Sequence, residues 1–305
     1  MSLAPILLFA FNRPDHATQT LDALLRNKLA IESDLIVYLD GPRNPSDSEL
    51  VEKVYQVIAG IKGFKSIVIH RKTANAGLAS NIIEGVSDVI TRYGRVIVLE
   101  DDIVTSPNFL RYMNDALEYY SNDKKVWHIS GFTEFIGIDR PNDSFLWRTM
   151  HCWGWATWED RWSHFEKNPQ ALIEAFTPEM IKRFNLDGFQ NFWAQVVLNS
   201  KGKINTWAIF WYTTIFLRDG LCLNPFNSYV QNIGLDGSGV HCGIDDMRNN
   251  ETSLNKFGVF CPADKPVEDE YAVALIKNYY RAHTPNFSLR VYRSLKRRLN
   301  SLLSF

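Results

Sequence analysis

Short apolar runs alternate with helical patterns over the first hundred residues, and this alternation constrains the fold more than any other feature of the sequence. The apolar runs lie at residues 6–11, 35–39, 67–69 and 96–99. Between them, apolar residues recur at three- and four-residue spacing, as on one face of a helix. Pro14 opens the first helical segment, and Ser46 with Glu49 predicts a capping box for the second. The alternation predicts an α/β fold whose parallel strands are joined by right-handed crossovers.

The fourth apolar run ends directly in three acidic residues, Glu100, Asp101 and Asp102. An uninterrupted apolar run is typical of a parallel strand that is buried on both faces, and ligands of open α/β sheets bind just beyond the carboxyl ends of such strands. Three neighbouring carboxylates repel one another at neutral pH unless a cation joins them. The pattern therefore predicts a divalent metal site that holds a diphosphate. The alternative is a solvated acidic turn that leads into a helix.

Composition limits the classes of protein that remain. The chain has 305 residues, 46% of them hydrophobic and 22% charged, which suits one large globular domain or one and a half. Its net charge of −1 gives no argument for a nucleic-acid partner. Four cysteines without a CxxC spacing predict reduced thiols in a cytoplasmic protein, and the short apolar start predicts a strand rather than a targeting signal. The absence of GxGxxG and Walker motifs disfavours dinucleotide enzymes and P-loop NTPases.

The second half of the chain is less regular and has a segment rich in tryptophan. Five of the nine tryptophans fall between Trp147 and Trp162. Because tryptophan rarely buries completely and keeps an N–H to offer, this density predicts a binding cleft. Trp153, Trp155 and Trp158 would then provide apolar faces for sugar rings. The alternative for these three is a packed aromatic core under the sheet.

Three sequence segments occur in the order found in a known class of enzymes. They are FAFNRPDHATQTLDALL at the first strand and helix, NAGLASNIIEGV before the fourth strand, and VIVLEDDIVTSPNFLRYM at the acids. With the downstream Gly-Trp motif, they resemble the GT-A class of nucleotide-sugar-dependent glycosyltransferases, most closely the N-acetylglucosaminyltransferase I-like branch and its bacterial, family 2-like relatives. The resemblance implies a GT-A fold with a mostly parallel central sheet flanked by helices. It also implies a catalytic domain at 1–262, with a nucleotide-binding half (about 1–130) and an acceptor half (about 131–262), and a C-terminal helical appendage at 263–305.

The resemblance implies roles in nucleotide binding for Arg13 and Asp40. In this branch, an Arg after the first strand and an Asp at the end of the second contact the nucleotide. A carboxylate can accept a uracil N–H and a guanidinium can stack on a base, so the donor is expected to be a UDP-sugar. The alternatives are a surface salt bridge for Arg13 and a plain turn residue for Asp40. Glu100 and Asp101 are expected on the ribose and diphosphate side.

The resemblance further implies a metal-dependent reaction. The last acid of the cluster, Asp102, is expected to ligate Mn²⁺ or Mg²⁺, whose Lewis acidity stabilises the charge on the departing diphosphate. His241 lies where several members of the fold bring a late His to the metal or the diphosphate, and the alternative is a loop His that only packs. The glycines around Asp236 allow the backbone to approach an anion closely.

The catalytic base is predicted in the Trp-rich segment. An inverting transferase needs a carboxylate that takes the proton from the acceptor hydroxyl, and this segment offers Asp160 as first choice and Glu159 as second. Relatives often carry an Asp inside a Trp-Asp-x-x-Trp pattern, whereas this chain has Ala208 between Trp207 and Trp211. Either the base comes from elsewhere in the chain, or the stereochemical course differs.

The sequence as a whole predicts a transferase that moves a hexose or N-acetylhexosamine from a UDP-sugar to a glycan or lipid-linked acceptor in bacterial polysaccharide or surface-glycan synthesis. The alternatives are a catalytically silent sugar- or nucleotide-binding protein and a sugar nucleotidyltransferase. In residues 287–305, apolar residues recur on one side of a helical pattern, with five basic residues and no acid. That pattern is typical of peripheral contact with the inner face of a membrane, and the alternative is a helix docked on the domain.

Overall fold

The computed structural model describes residues 2–134, 144–237, 254–255, 260–263 and 265–283. Within these residues the strands form a large central sheet and a two-stranded one. In chain order the strands are β1 (Ile6–Ala10), β2 (Asp34–Leu39), β3 (Ser66–Arg71), β4 (Arg95–Glu100), β5 (Ile103–Thr105), β6 (Val126–Ser130), β7 (Ser144–Trp147), β8 (Trp155–Trp158), β9 (Leu221–Pro225) and β10 (Val230–Asn232). The central sheet has the order β3-β2-β1-β4-β8-β6-β9-β7, and β5 pairs with β10.

Most strands of the central sheet run in one direction. β1 pairs in parallel with β2 and β4, β2 pairs in parallel with β3, and β6 pairs in parallel with β9. β8 is antiparallel to both β4 and β6, and β7 is antiparallel to β9. The predicted α/β fold with a mostly parallel sheet is therefore confirmed, and the first four predicted strands form one half of the sheet.

Helices cover both faces of the sheet. In chain order they are α1 (Pro14–Leu25), α2 (Pro45–Gly60), α3 (Leu78–Tyr93), α4 (Phe109–Tyr119), α5 (Glu159–Trp162), α6 (Pro169–Ala175), α7 (Pro178–Phe184), α8 (Trp193–Ser200), α9 (Ala208–Leu217) and α10 (Glu270–His283). The buried apolar residues of α1, α2 and α4 pack in one core cluster, and those of α3 and α10 pack in another together with Trp211 and Ile215 of α9. The remaining buried apolar residues of α9 pack in a third cluster with residues of α6, α7 and α8.

The two core clusters explain why the early strands are apolar without interruption. In β1, Ile6, Leu8 and Ala10 belong to the cluster with α1, α2 and α4, whereas Leu7 and Phe9 belong to the cluster with α3. Successive side chains of a strand point to opposite faces, so a strand with helices on both faces must be apolar at every position. All five residues of β1 are buried.

The start of α2 corrects one prediction from the sequence. The capping box of Ser46 and Glu49 is wrong, because both residues lie inside the helix. The cap is Asn44, whose side-chain oxygen accepts a hydrogen bond of 3.0 Å from the backbone N–H of Asp47. Asn caps a helix as well as Ser does, and Pro45 suits the first helical position because its fixed φ is helical and it lacks an N–H.

The Trp-rich segment forms core, so the predicted cleft is wrong for most of it. Trp147, Trp155, Trp158 and Trp162 are buried, with 0–5% of their surface exposed, whereas Trp153 is half-buried. Three of the buried indoles donate their N–H to acceptors within the protein. The density of tryptophan therefore reflects packing between the sheet and its helices, and only Trp153 keeps an apolar face for a ligand.

The last described helix is part of the same core. Four residues of α10 are buried in the cluster that contains α3 and α9, namely Ala272, Val273, Ile276 and Tyr280. The predicted division of the chain at residue 262 stays a prediction, and so does the membrane contact of residues 287–305, which lie outside the described residues. In the part of the chain that the structure describes, no helix is both long and apolar enough to cross a bilayer.

Candidate active site

Three neighbouring parallel strands bring most of the predicted site residues to one edge of the sheet. β1 lies between β2 and β4, and the residues that end these strands are in register. The segments that follow the strands therefore leave the sheet side by side at its carboxyl edge, where open α/β sheets bind ligands. Arg13 follows β1, Asp40 follows β2, and Glu100, Asp101 and Asp102 end and follow β4. We call the last three residues the acid cluster.

Arg13 supplies a positive charge to the acid cluster. Its Nη2 donates hydrogen bonds to the carboxylates of Asp101 and Asp102, the latter at 2.8 Å. The backbone N–H of Phe11 donates to the second carboxylate oxygen of Asp101 at 3.2 Å, and the hydroxyl of Thr20 donates to the Asp101 carbonyl oxygen at 2.8 Å. Asp101 is thus fixed from several sides. The Oδ1 atom of Asp102 has no hydrogen-bond partner among the described residues.

The three acids outnumber the guanidinium, and the pKa values of Glu100 and Asp101 are raised. Burial and the charges of Asp102 and Asp101 raise the pKa of Glu100 to about 8. Burial also raises the pKa of Asp101 above its ordinary value, although Arg13 opposes the shift. Burial alone would lower the pKa of Arg13, but the two aspartates raise it, so the guanidinium stays charged. The acid cluster therefore favours the binding of further positive charge.

A later part of the chain closes over Asp102. β10 pairs with β5, which follows the acid cluster, and Ile233 donates its N–H to the carbonyl oxygen of Asp102 at 2.9 Å. At Gly234, a Cβ would clash with the Asp102 carboxylate and would lie 2.9 Å from Nη1 of Arg13. Glycine suits this position because the backbone comes so near to charged side chains. This close approach is to the protein's own Asp102, and the approach of the Gly-rich segment to a bound anion stays a prediction.

Asp40 organises a neighbouring loop. Its carboxylate accepts four hydrogen bonds of 2.8–3.0 Å, from the backbone N–H groups of Gly41, Ala76 and Gly77 and from the side chain of Asn75. These bonds tie the end of β2 to the loop before α3 and use most of the acceptor capacity of a carboxylate. A direct contact between Asp40 and a nucleotide stays a prediction. The contacts in the structure make Asp40 a residue that positions the loop.

Glu159 and Asp160 do not lie near the acid cluster. They follow β8, which is antiparallel to β4, so the last residue of β8 pairs with the first residue of β4. β4 is six residues long, which puts these two acids roughly 20 Å from the acid cluster. Asp160 is exposed and forms ion pairs with Lys124 at 2.5 Å and Arg161 at 2.6 Å. Neither acid can take a proton from an acceptor bound at the other edge, so the geometry contradicts their predicted role as catalytic base.

Comparison with known protein families identifies the family to which the chain belongs. Residues 1–177, more than half of the chain, match the model of the GNT-I family. The chain belongs to the GNT-I family. It is therefore a glycosyltransferase with a GT-A fold, as the sequence segments around Arg13 and the acid cluster predict. The matched residues include β1 to β8 and the whole acid cluster.

Solved structures match this GNT-I family member at low sequence identity. One is the mannosyltransferase PcManGT from Pyrobaculum calidifontis in complex with GDP-Man and Mn²⁺, with 11% identity, a TM-score of 0.36 and 70% of each chain covered. Another is residues 1–349 of S. aureus TarS, with 9% identity, a TM-score of 0.39, and 74% of this chain and 59% of that chain covered. Likeness at this level says nothing about the donor or the metal of the present protein. No curated protein matches the chain.

The acid cluster of this glycosyltransferase suits a hard divalent cation. Asp102 keeps Oδ1 without a hydrogen bond to the described residues, and Mn²⁺ and Mg²⁺ prefer carboxylate oxygen ligands. Within the described ranges, no group of three or more His, Cys, Asp or Glu side chains is arranged to enclose a metal ion. A cation would therefore depend on Asp102, with the diphosphate of the donor and water as its other ligands.

Two histidines complete the account of this edge. His241 lies outside the described residues, so its contact with metal or diphosphate stays a prediction. Sequence reasoning missed His16, whose Nε2 lies 3.3 Å from the carboxylate of Asp236, just beyond β10. A signal for His16 exists in the sequence, because it comes three residues after Arg13 and residues three apart lie on the same side of a helix.

Proposed function

We propose that this GNT-I family member transfers a sugar from a UDP-sugar to a glycan or lipid-linked acceptor, with inversion at the anomeric carbon, in bacterial polysaccharide or surface-glycan synthesis. The observation that carries the proposal is the excess of negative charge at the carboxyl edge. Asp101 and Asp102 share the single guanidinium of Arg13 there, so negative charge remains even when the neighbouring Glu100 carries a proton. An edge with this charge repels a diphosphate unless a divalent cation joins the two.

The residues of the edge have separate tasks in donor binding. Asp102, through Oδ1, would hold Mn²⁺ or Mg²⁺, which when bound supplies Lewis-acid stabilisation of the departing diphosphate. Arg13 holds the two aspartates in place, and its further N–H groups can donate to phosphate oxygens. Glu100, whose pKa is raised to about 8, carries a proton in much of the population at neutral pH. A protonated Glu100 can donate a hydrogen bond to a ribose or phosphate oxygen.

The segments after β1 and β2 form the surface proposed for the nucleoside. The guanidinium of Arg43 lies 4.9 Å from the ring centre of Phe11, and the side chain of Asn12 donates to Asp47 at 2.7 Å. These contacts join the two segments beside the acid cluster. Uridine as the nucleoside is supported by the family resemblance at Arg13 and at the end of β2.

Thermal unfolding with Mn²⁺ and UDP tests this proposal. We expect the two ligands together to raise the Tm of the wild type by several degrees, because they bind the folded state only. Asp102→Ala should lose most of that rise. Without ligands its Tm should match or slightly exceed that of the wild type, because Asp101 no longer shares the guanidinium of Arg13 with a second aspartate. Asp160→Ala is the matched control, an aspartate that also follows a strand but at the other edge, and it should keep the whole rise.

The same proteins should then be incubated with a panel of UDP- and GDP-sugars. Release of nucleoside diphosphate that requires Mn²⁺ and is lost in Asp102→Ala is the expected result. A rise in Tm without any release would identify a catalytically silent binding protein. A metal-dependent rise in Tm that Asp102→Ala retains in full would contradict the proposed metal site.

A further inference from the structure

A second polar group leaves the sheet at the same edge, two strands away from the acid cluster. Ser130 at the end of β6 and Val98 in β4 both pair with Trp155 of β8, so they lie level with each other. Neighbouring strands are about 4.8 Å apart, which puts β6 roughly 10 Å from β4. Residues 131–134 continue from β6 as the acid cluster continues from β4. A donor whose diphosphate lies at the acid cluster can therefore place its sugar in front of residues 131–134.

Hydrogen bonds fix these residues to the elements around the acid cluster. Gly131 donates its N–H to the carbonyl oxygen of Gly154 at 2.6 Å and accepts a hydrogen bond of 2.7 Å from the N–H of Tyr229, which directly precedes β10. The carbonyl oxygen of Phe132 accepts a hydrogen bond of 2.7 Å from the side chain of Asn224. The segment is thus held in a defined position relative to the strand that covers Asp102.

Glu134, at the end of this segment, is a buried carboxylate with a hydrogen bond at only one of its two oxygens among the described residues. Only 5% of the residue is exposed. Its Oε1 accepts a hydrogen bond of 2.9 Å from the hydroxyl of Tyr280 in α10. Its Oε2 is buried and has no hydrogen-bond partner among the described residues. A buried polar group without a hydrogen bond lowers the stability of the folded protein by about 1–3 kcal/mol, and by more when it is charged. Such a group in a native structure indicates a functional role, so a side chain that faces this oxygen is a candidate for that role.

The imidazole of His151 faces the unsatisfied oxygen. Its Nε2 lies 3.8 Å from Oε2 of Glu134, and its side chain remains 15% exposed. The ring lies between those of Trp147 and Phe132, at 5.4 and 5.2 Å between ring centres. Distances between catalytic groups are often long in unliganded enzymes and shorten when substrate binds. His151 therefore combines access to solvent with a buried carboxylate behind it.

We propose that His151 is the general base for the acceptor hydroxyl and that Glu134 and Tyr280 position it. The inference rests on the proposed function, because it requires a donor bound at the acid cluster. An imidazole backed by a buried carboxylate accepts a proton readily, since the carboxylate stabilises the imidazolium that forms. The pair supplies the base that Ala208 cannot provide.

The proton transfer accompanies the change of bonds at the sugar. The acceptor hydroxyl gives its proton to the imidazole of His151 while its oxygen forms a bond to the anomeric carbon, and the carboxylate of Glu134 stabilises the imidazolium that results. The bond from the anomeric carbon to the diphosphate oxygen breaks, and its electron pair leaves with UDP. His151 then releases the proton to solvent. Among the described residues, His128 also lies near His151, with its Nε2 2.9 Å from the His151 carbonyl oxygen, and burial lowers the pKa of His128 to about 3, so His128 stays neutral.

Kinetics of the full-length protein test the proposal. The probes are UDP-glucose and UDP-N-acetylglucosamine with Mn²⁺ and with water as acceptor, and the readout is the release of UDP. His151→Ala should lower kcat about 100-fold or more, the usual range for a lost general base, and added imidazole should restore part of the rate. Glu134→Gln should lower kcat about 10-fold and shift the acidic limb of the pH–rate profile to lower pH, because the imidazolium loses its carboxylate. The affinity for UDP should be unchanged in both variants, and His164→Ala, an exposed His remote from Glu134, should behave as wild type.

A second measurement keeps the inference independent of the donor. In an NMR titration, the pKa of His151 should be higher in the wild type than in Glu134→Gln. An equal pKa in the two proteins would overturn the positioning role, and an unchanged kcat in His151→Ala with UDP binding intact would overturn the base. A wild type that binds UDP with Mn²⁺ but releases no UDP from either UDP-sugar would count against the proposed function. The NMR titration would still show whether His151 and Glu134 interact.

Discussion

Two strands of the central sheet, β4 and β8, lead directly into neighbouring acidic residues, and they deliver those residues to opposite edges. β4 ends in Glu100 and is followed by two aspartates, while β8 is followed by Glu159 and Asp160. Both strands are apolar and mostly buried. Because β8 runs antiparallel to β4, its acids emerge at the edge where β4 begins. The residues of a strand do not reveal its direction, so two similar sequence patterns lead to an active-site edge in one case and to a solvated surface in the other.

The charges around the two groups of acids differ as much as their positions. Asp160 has two cations, Lys124 and Arg161, for one carboxylate, and although burial alone would raise its pKa, the hydrogen bonds from these cations lower it. At the acid cluster, the one guanidinium of Arg13 serves two aspartates, and the pKa of Glu100 rises to about 8. The surface acids are neutralised by their own neighbours, whereas the acid cluster has room for a further cation.

The largest difference between the two groups should appear when their cations are removed. Arg13→Ala leaves buried Asp101 without its counter-charge, and we expect the free energy of unfolding to fall by about 3 kcal/mol, the lower end for a broken buried pair because the Arg13 side chain is 19% exposed. Lys124→Ala breaks the exposed ion pair with Asp160 and should change the free energy of unfolding by less than about 1 kcal/mol. Urea unfolding without metal at pH 7 measures both. Equal losses would show that the acid cluster is as solvated as the surface acids.

A smaller effect is expected from filling the space above Asp102. Gly234→Ala puts a methyl group against the Asp102 carboxylate and Arg13, so the chain must shift, at a cost of about 1–3 kcal/mol in the free energy of unfolding. The variant should also lose metal-dependent UDP binding, because the carboxylate is displaced. Gly60→Ala is the control, since a Cβ there meets no atom within 4 Å and alanine favours the helix. Calorimetric titration with UDP and Mn²⁺ measures the binding, and unchanged binding in Gly234→Ala would exclude Asp102 from the site.

The smallest expected effect concerns pH, and its sign differs between the two edges. The pKa of Glu100 rises from its ordinary 4.5 to about 8, so the folded protein keeps a proton that the unfolded chain loses. The wild type should therefore lose stability relative to Glu100→Gln as pH rises from 5 to 8, by about 1 kcal/mol because solvent screens this partly exposed group. The pKa of Asp160 is lowered, so Asp160→Asn should differ from the wild type in its pH dependence only below about pH 4. Thermal unfolding in metal-free buffers across this range checks both, and parallel curves for Glu100→Gln and the wild type would contradict the raised pKa.

The position of the acid cluster could be predicted from the sequence because a physical rule fixes the direction of β4. β1 to β4 alternate with single helices, which is the pattern of a parallel sheet with right-handed crossovers, so β1, β2 and β4 end at one edge, and Arg13, Asp40 and the acids meet there. No such rule applies to β8. The chain reaches β8 from β7 through an irregular segment, residues 148–154, and the direction of β8 follows from that segment rather than from its own residues.

The sequence does not predict the burial of the tryptophans or the pairing of His151 with Glu134, because both depend on tertiary packing. Tryptophan suits both a sugar-binding face and a core, and the choice depends on which helices cover it, here α3 and α9 for Trp147, Trp155 and Trp162 and α4 for Trp158. Glu134, His151 and Tyr280 come from three separate parts of the chain and form no spaced motif. Their relation depends on tertiary packing, whereas the relation of Glu100, Asp101 and Asp102 is written in three consecutive residues.

Ile233 and Gly234 cover Asp102, so the surroundings of the acid cluster cannot be complete until this late part of the chain has been synthesised. The acids and Arg13 lie in the first third of the chain, but the strand that closes over them, β10, begins only at Val230. A nascent chain that has not yet reached Val230 carries the acids without their cover. Contacts between residues so far apart in sequence form late, because a long loop must close first. The acid cluster therefore acquires its final surroundings only after most of the chain has been synthesised.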